Sequence, residues 1–161
     1  MIEVRPPRSL DTDDMAKLLN SIIERGGTTA LTRPVTSDDI SDWMGSDAAR
    51  SAWHVALDAS GDVVGFQWIA PNPRLPSEAC EIASFVKLGR TGLGIGSALF
   101  DATAAAAARL GYVWIDATIR ADNEGGLIYY QSRGFRDYAF EQNVVLQGGQ
   151  TVDRIRKRYD V

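Results

Sequence analysis

Apolar positions recur along this chain with two periods, and the change from one to the other marks out its elements. Within DTDDMAKLLNSIIERGG they fall at Met15, Leu18, Leu19, Ile22 and Ile23, the spacing of a helix with one buried face. Asp11 or Thr12 can cap this helix, acids fill its first turn, and Gly26 and Gly27 end it. Ahead of it, IEVRPP alternates and stops at a proline pair, as a first strand does. TTALTRPV reads as a loop and SDDISDWMG as a short helix capped by Ser37. SAWHVALD and VVGFQWIA read as strands joined at Ala59, Ser60, Gly61 and Asp62, a hairpin signal. PNPRLP breaks the chain before a further strand, EACEIASFVKL. An alanine-rich helix is predicted from Ile95 to Leu110, closed by Gly111. YVWIDATI is mostly apolar, which predicts a central strand. NEGGLIYYQSR reads as a short helix stopping before Gly134, and FRDYAFEQNVV and TVDRIRKRY as closing strands around Gly148 and Gly149. The order β-α-α-β-β-β-α-β-α-β-β predicts one mixed α/β (α+β) domain across residues 1–161.

Bulk composition narrows the class. The 161 residues suffice for one domain with a real core, and 45% apolar with 24% charged residues is ordinary globular composition. No apolar run approaches the roughly 20 residues of a membrane span, and MIEVRPPRSL lacks the apolar core of a secretory signal. A cytoplasmic protein without a membrane partner is therefore expected. The single cysteine, Cys80, rules out an internal disulfide and a cysteine metal cluster, and no metal is expected. A formal net charge of −4 argues against a dedicated nucleic-acid binder. It leaves room for an anionic cofactor held by helix ends and a few arginines.

The stretch RTGLGIGSALF points to such an anion. Glycines at 92, 94 and 96 run into the predicted helix, where free N–H groups and the helix dipole favour negative charge. A dinucleotide fingerprint is one reading: Gly92 and Gly94 start it, and Asp116 lies about 20 residues on, where a ribose-binding acid belongs. Against it, Ser97 replaces the third glycine, Gly89, Arg90 and Thr91 separate the strand from the first, and too little chain follows for a second nucleotide-binding half. A plain strand-to-helix turn is another reading, although three alternate glycines exceed what a turn needs.

The wider setting resembles the GNAT superfamily of N-acetyltransferases. That family carries Q/R-x-x-G-x-G/A between its fourth strand and third helix, and Gly94 and Gly96 fit the paired glycines. Thr91 then stands in the usual Gln/Arg position, with Arg90 one residue earlier, which is a departure from the pattern. NEGGLIYYQSRGF is similar to the family's N-x6-Y-x3-G-F segment, with Asn123, Tyr130, Gly134 and Phe135 in place. Glu81 stands five residues before Val86, where many members carry an acid. Within the superfamily, RTGLG and TTALTRPVTSDDI resemble phosphinothricin-type acetyltransferases, which modify small amino-acid-like amines.

The resemblance implies a mostly antiparallel central sheet of about seven strands flanked by about four helices. It also implies acetyl transfer from acetyl-CoA to a primary amine by direct attack in a ternary complex, and a homodimer. The backbone from Gly92 through Leu93, Gly94, Ile95 and Gly96 to Ser97, aided by Arg90 and Thr91, would grip the pyrophosphate. Phe85, Val86, Lys87 and Leu88 would pair with the pantetheine amides as a partial extra strand. Asn123 would bond the pantetheine arm or brace the helix start. Glu81 is the expected base, acting through water, and Tyr130 the acid for the leaving thiolate; Tyr129 is expected to point elsewhere. The bland readings are a solvated strand acid and a packing tyrosine.

Arg33 and the nearby acids of TSDDISDW lie where the resemblance places acceptor contacts, and Trp43, Trp53 and Trp68 could line the same pocket or fill the core. His54, the only histidine, reads as a half-buried strand residue rather than a base, and Cys80 as a small apolar residue. Arg154, Arg156 and Arg158 share one face of a strand and read as a solvated face or dimer rim. Three other functions remain open at this point: a non-catalytic acyl-CoA-binding or sensing module, a protein N-terminal acetyltransferase, and an NAD- or FAD-binding redox domain.

Overall fold

A computed structural model describes all residues, Met1–Val161. The elements are β1 (Glu3–Arg5), α1 (Thr12–Arg25), α2 (Ser37–Gly45), β2 (Ala52–Leu57), β3 (Val63–Ala70), β4 (Ala79–Val86), α3 (Ile95–Arg109), β5 (Trp114–Arg120), α4 (Glu124–Ser132), β6 (Arg136–Val145) and β7 (Thr151–Asp160). Short 3₁₀ turns precede α1 and β2, at Ser9–Asp11 and Ala48–Arg50. The seven strands form one sheet in the order β1-β2-β3-β4-β5-β7-β6. Only β4 and β5 run parallel; every other pairing is antiparallel. The element order and the central place of β5 follow the hydrophobic pattern. No helix is long and apolar enough to cross a membrane.

Strand alternation divides the side chains between two cores. On one face, Trp53, Val55, Phe66 and Phe85 pack against Met15, Leu19 and Ile22 of α1 and Ile40 of α2. On the other, Ile69, Cys80, Ile82, Ile115 and Ala117 pack under Phe100 and Ala107 of α3 and Tyr130 of α4. A smaller cluster, Ala56, Val64, Ile95 and Leu99, joins the start of α3 to the sheet. Gly65 permits that approach: a Cβ there would stand 3.0 Å from Ile95 Cγ2 and 3.1 Å from the Phe85 carbonyl oxygen.

Two caps differ from expectation. Thr36, not Ser37, caps α2: its hydroxyl accepts from the Asp39 amide at 3.1 Å, and the Asp39 carboxylate accepts from the Thr36 amide at 2.9 Å. The reciprocal bond needs an acid three residues on, and Asp39 is in that position for Thr36. Asp11 precedes α1 without a side-chain cap, because its carboxylate is taken by the Arg5 guanidinium and the Arg8 amide.

The α1–α2 loop is tied down at both ends. Asn20 donates to the Val35 carbonyl at 2.8 Å and accepts from the Val35 amide at 2.7 Å. Arg120 and Asn123 donate to the carbonyls of Thr29 and Thr28.

Phe66 is fully buried and contacts Trp53, Trp68 and Phe85 ring to ring. Phe66→Ala should lower unfolding free energy by about 3–5 kcal/mol in a denaturant titration. Phe140→Ala, at a ring left 56% exposed on β6, should lower it by less than about 1 kcal/mol. Equal losses would contradict the placement of the core.

Candidate functional site

β4 and β5 pair over only three positions, Ala79 with Trp114, Cys80 with Ile115 and Glu81 with Asp116. Beyond Glu81 the strands diverge. Ile82 to Val86 remain bonded to β3 and Ala117 to Arg120 to β7, but not to each other. A slot therefore opens in the middle of the sheet, edged on the β4 side by main-chain groups with no partner strand.

The glycine loop closes one end of the slot. Gly92 and Gly94 have φ of 80° and 82°, a region that L side chains rarely adopt. A Cβ on either would meet nothing within 4 Å, so the space before the loop is open. None of the amides from Thr91 to Gly94 donates to a backbone carbonyl, and the first three amides of α3, Ile95, Gly96 and Ser97, lie beyond the reach of intrahelical bonds. That run of inward-free N–H groups at a helix N-terminus fits a pyrophosphate. The side chains contribute less. Leu93 is exposed, Ile95 is buried in the core, and Thr91 makes no side-chain hydrogen bond. Arg90 sits 3.6 Å from Asp58 and is free enough to swing to an anion.

Glu81 lies on the α1–α2 face of β4, half-buried, with one carboxylate oxygen taking a 2.5 Å hydrogen bond from Asn72 Nδ2. Asp116 stands opposite it in register and is buried, bonded to Thr118, Tyr138 and Arg156. A carboxylate so fully engaged is closed to a ribose. With a mostly antiparallel sheet around it, the dinucleotide reading falls. Arg154 and Arg156 are likewise engaged, half-buried, with Glu141 and Asp116, while Arg158 pairs with Asp160, lies over the Trp114 ring and stays exposed.

Tyr130 reaches the slot from the opposite face. Its hydroxyl is 2.7 Å from Ser84 Oγ on β4, and burial, helped by neighbouring Tyr129, holds its phenol well above the usual tyrosine range. Tyr129 does not point away as expected. Its hydroxyl donates to the Gly96 carbonyl at 2.7 Å and accepts from Gln67 Nε2 at 3.0 Å. Two consecutive helical residues are about 100° apart, and α4 lies over the sheet so that both rings face inward. Gln67 also donates to Ser84 Oγ at 2.8 Å. Gln67, Ser84 and Tyr129 were not among the expected site residues. The visible signal was a lone amide in the apolar run VVGFQWIA.

The remaining candidates divide. Asn123 caps α4, accepting from the Gly126 amide at 3.0 Å, so the brace reading describes it. Trp68 is half-buried and stacks on Trp53 at 4.1 Å and Trp43 at 5.9 Å, on the same face as Glu81. Arg33 is exposed on the α1–α2 loop. Phe85 is buried and pairs with Phe66 of β3; Val86 is half-buried; Lys87, whose amide donates to the Val64 carbonyl at 2.9 Å, and Leu88 are exposed. His54 is buried more deeply than expected, and burial, then the nearby Arg109 charge, lowers its pKa. Burial pushes the Cys80 thiol up to about 12, which leaves it unreactive.

This architecture is shared with known proteins. The Bacillus subtilis (strain 168) protein YwnH, provisionally named a phosphinothricin acetyltransferase, is 25% identical over 154 residues, covering 94% of this chain and 90% of its own. A phosphinothricin acetyltransferase from Sinorhizobium meliloti, solved in complex with acetyl-CoA, superposes with a TM-score of 0.88 at 17% identity, over 99% of this chain and 88% of that one. A ribosomal-protein-alanine N-acetyltransferase from Brucella melitensis superposes with a TM-score of 0.89 at 18% identity, over 99% of each chain. At such identities these two structures share the fold. The model of the acetyltransferase (GNAT) family matches residues 16–135, from the first turns of α1 to Phe135 at the end of the α4 segment. The chain belongs to that family.

Proposed function

We propose that the protein transfers the acetyl group of acetyl-CoA to the primary amine of a small, amino-acid-like molecule by direct attack. One observation carries this reading: the slot between β4 and β5 receives an acid and a base from opposite faces of the sheet. Glu81 looks out on the α1–α2 side, and Tyr130 comes from the α4 side. Acetyl-CoA supplies a thioester, an activated acyl group with a thiolate leaving group.

This chain's residues have three tasks. Amides from Gly92 to Ser97 bind the pyrophosphate and set the depth of the pantetheine arm. In the Phe85–Leu88 stretch the Lys87 amide is given to the Val64 carbonyl of β3, so the main-chain groups of Val86 are the ones left to bond the arm's amides, and the Val86 amide would face the thioester oxygen, where charge develops. Glu81 takes the proton of the attacking amine through water; Asn72 holds one carboxylate oxygen and leaves the other free. As the nitrogen–carbon bond forms and the carbon–sulfur bond breaks, Tyr130 gives its proton to sulfur. Its raised pKa keeps that proton in place until a thiolate appears.

The acceptor assignment rests on the α1–α2 side. Arg33 suits a carboxylate, Glu81 an ammonium, and the Trp43 and Trp68 rings a short carbon frame. The name carried by the Bacillus subtilis relative agrees with an amino-acid-like acceptor.

Acetyl-CoA at 100 times its Kd should stabilise the fold by about 2.7 kcal/mol, read as a melting shift, with NAD and FAD giving none. A shift with NAD or FAD alone would overturn the cofactor. Tyr130→Phe and Glu81→Gln should each lower kcat by about 100-fold or more while still showing the acetyl-CoA melting shift. Turnover unaffected by both would return the fold to a binding or sensing role. Since folded Tyr130 titrates above its ordinary value near 10, it stays protonated as pH rises, so kcat should show no alkaline decline up to about pH 9. A decline beginning near neutrality would remove Tyr130 as the acid. In a screen of amino acids and peptides by thiol release, Arg33→Ala should lose turnover without losing acetyl-CoA affinity. Unchanged turnover would exclude Arg33 from the acceptor site.

A further inference from the structure

Gln67 is fully buried at the centre of β3, on the face that otherwise carries Ile69, Cys80, Ile82, Ile115 and Ala117. Burying an amide is unfavourable unless its groups are paired, and here only half of it is: Oε1 is buried with no partner. A methionine or leucine would fill the same space without an orphaned acceptor. What the amide provides is two donated protons, one to Ser84 Oγ and one to Tyr129 Oη.

Counting hydroxyl protons shows what these donations fix. Tyr129 has one proton and gives it to the Gly96 carbonyl, so its oxygen can only accept from Gln67. A reversed amide would set Oε1 against Tyr129, with two acceptors competing for that proton. Ser84 Oγ accepts from Gln67 and shares a hydrogen bond with Tyr130, whose hydroxyl has no other partner. Ser84 and Tyr130 hold two protons between them, and their mutual bond uses one. When Ser84 donates, the Tyr130 proton remains free to leave with sulfur. The same amide holds Tyr129, and through it Gly96 in the first turn of α3, within the run of amides from Gly92 to Ser97. Gly96 is also the only residue type that fits there, since a Cβ would lie 2.6 Å from the Tyr129 ring.

We propose that Gln67 is a positioning residue for acetyl transfer: its amide locks the cofactor-binding turn of α3, through Tyr129, and the leaving-group acid Tyr130, through Ser84, into one hydrogen-bonded unit. This rests on the acetyl-transfer reading above.

The test is a double-mutant cycle read first by calorimetric titration of coenzyme A. Gln67→Met conserves volume and removes both donations. It should weaken coenzyme A binding about five-fold, the scale of one or two lost hydrogen bonds, with the melting temperature of the free protein unchanged or raised. Tyr129→Phe should weaken binding to a similar degree, and the double variant Gln67→Met/Tyr129→Phe no further, because Gln67 acts on the cofactor turn through the Tyr129 hydroxyl. Turnover should follow: Gln67→Met lowers kcat about ten-fold in the native background and less than two-fold beside Tyr130→Phe. Ser84→Ala, which cuts the link at the hydroxyl shared by Gln67 and Tyr130 and leaves the bond from Gln67 to Tyr129, should reproduce the kcat loss and serves if Gln67→Met fails to fold. Effects that add across the cycle, or native affinity and native kcat in both Gln67→Met and Ser84→Ala, would overturn the proposal. If the native protein itself releases no heat with coenzyme A, the cofactor reading fails, which is a different result from a native protein that binds and variants that bind equally well.

Discussion

The short parallel ladder between β4 and β5 is the constraint on which the rest of the structure turns. A strand buried on both faces normally pairs along its length, since unpaired main-chain groups in a core are unfavourable. Here pairing stops after Glu81 and Asp116. The antiparallel partners explain how the two strands can afford to part. β3 holds β4 through to Val86, and β7 holds β5 through to Arg120. Each strand belongs to its own antiparallel half-sheet, with α1 and α2 over one side of the first and α3 and α4 across the other face. The slot is a seam between two well-bonded halves, and unpaired donors and acceptors gather along it.

Around the seam the two faces differ in chemistry. The α1–α2 side brings carboxylates, arginines and stacked indoles: Glu81, Asp116, Arg156 and the Trp43, Trp53 and Trp68 group. On the α3–α4 side the groups beside the seam are neutral donors and acceptors, Gln67, Ser84, Tyr129 and Tyr130, and His54, Thr103 and Lys157 are further buried polar residues of that face. In the proposed reaction the charged side would receive the amine and the neutral hydroxyls the sulfur; burial holds the protons of both tyrosines in place.

Element order was legible because it depends on local periodicity, and β5 could be called central because its apolar residues are continuous rather than alternating. The capping residue of α2 was missed by one position, since Thr36 and Ser37 are both good caps and only the reach of Asp39 distinguishes them. The glycine loop and the Asn123, Tyr130 and Phe135 spacing pointed to the family because they lie on contiguous segments. Gln67 and Ser84 could not be paired in advance: their contact depends on β3–β4 register, and strand register is set by the whole sheet. Tyr129 was set aside on helical phase alone, which fails when a helix crosses a sheet with two consecutive residues straddling the line of contact. Asp116 read as a ribose acid at the right distance along the chain, but the strand turns it toward Arg156 and away from the loop.

Gly96 has a consequence for how such loops are transplanted. Gly92 and Gly94 are required by their own backbone angles, so any chain that copies the loop copies those needs with it. Gly96 is required by a ring on a different helix, one that begins nearly thirty residues later in the chain. The glycine motif is therefore not a portable cassette. A chimera that imports the loop and α3 without α4 would keep the glycine backbone and lose the ring that packs on Gly96, whereas exchanging the whole segment from β4 through α4 would move a self-consistent unit.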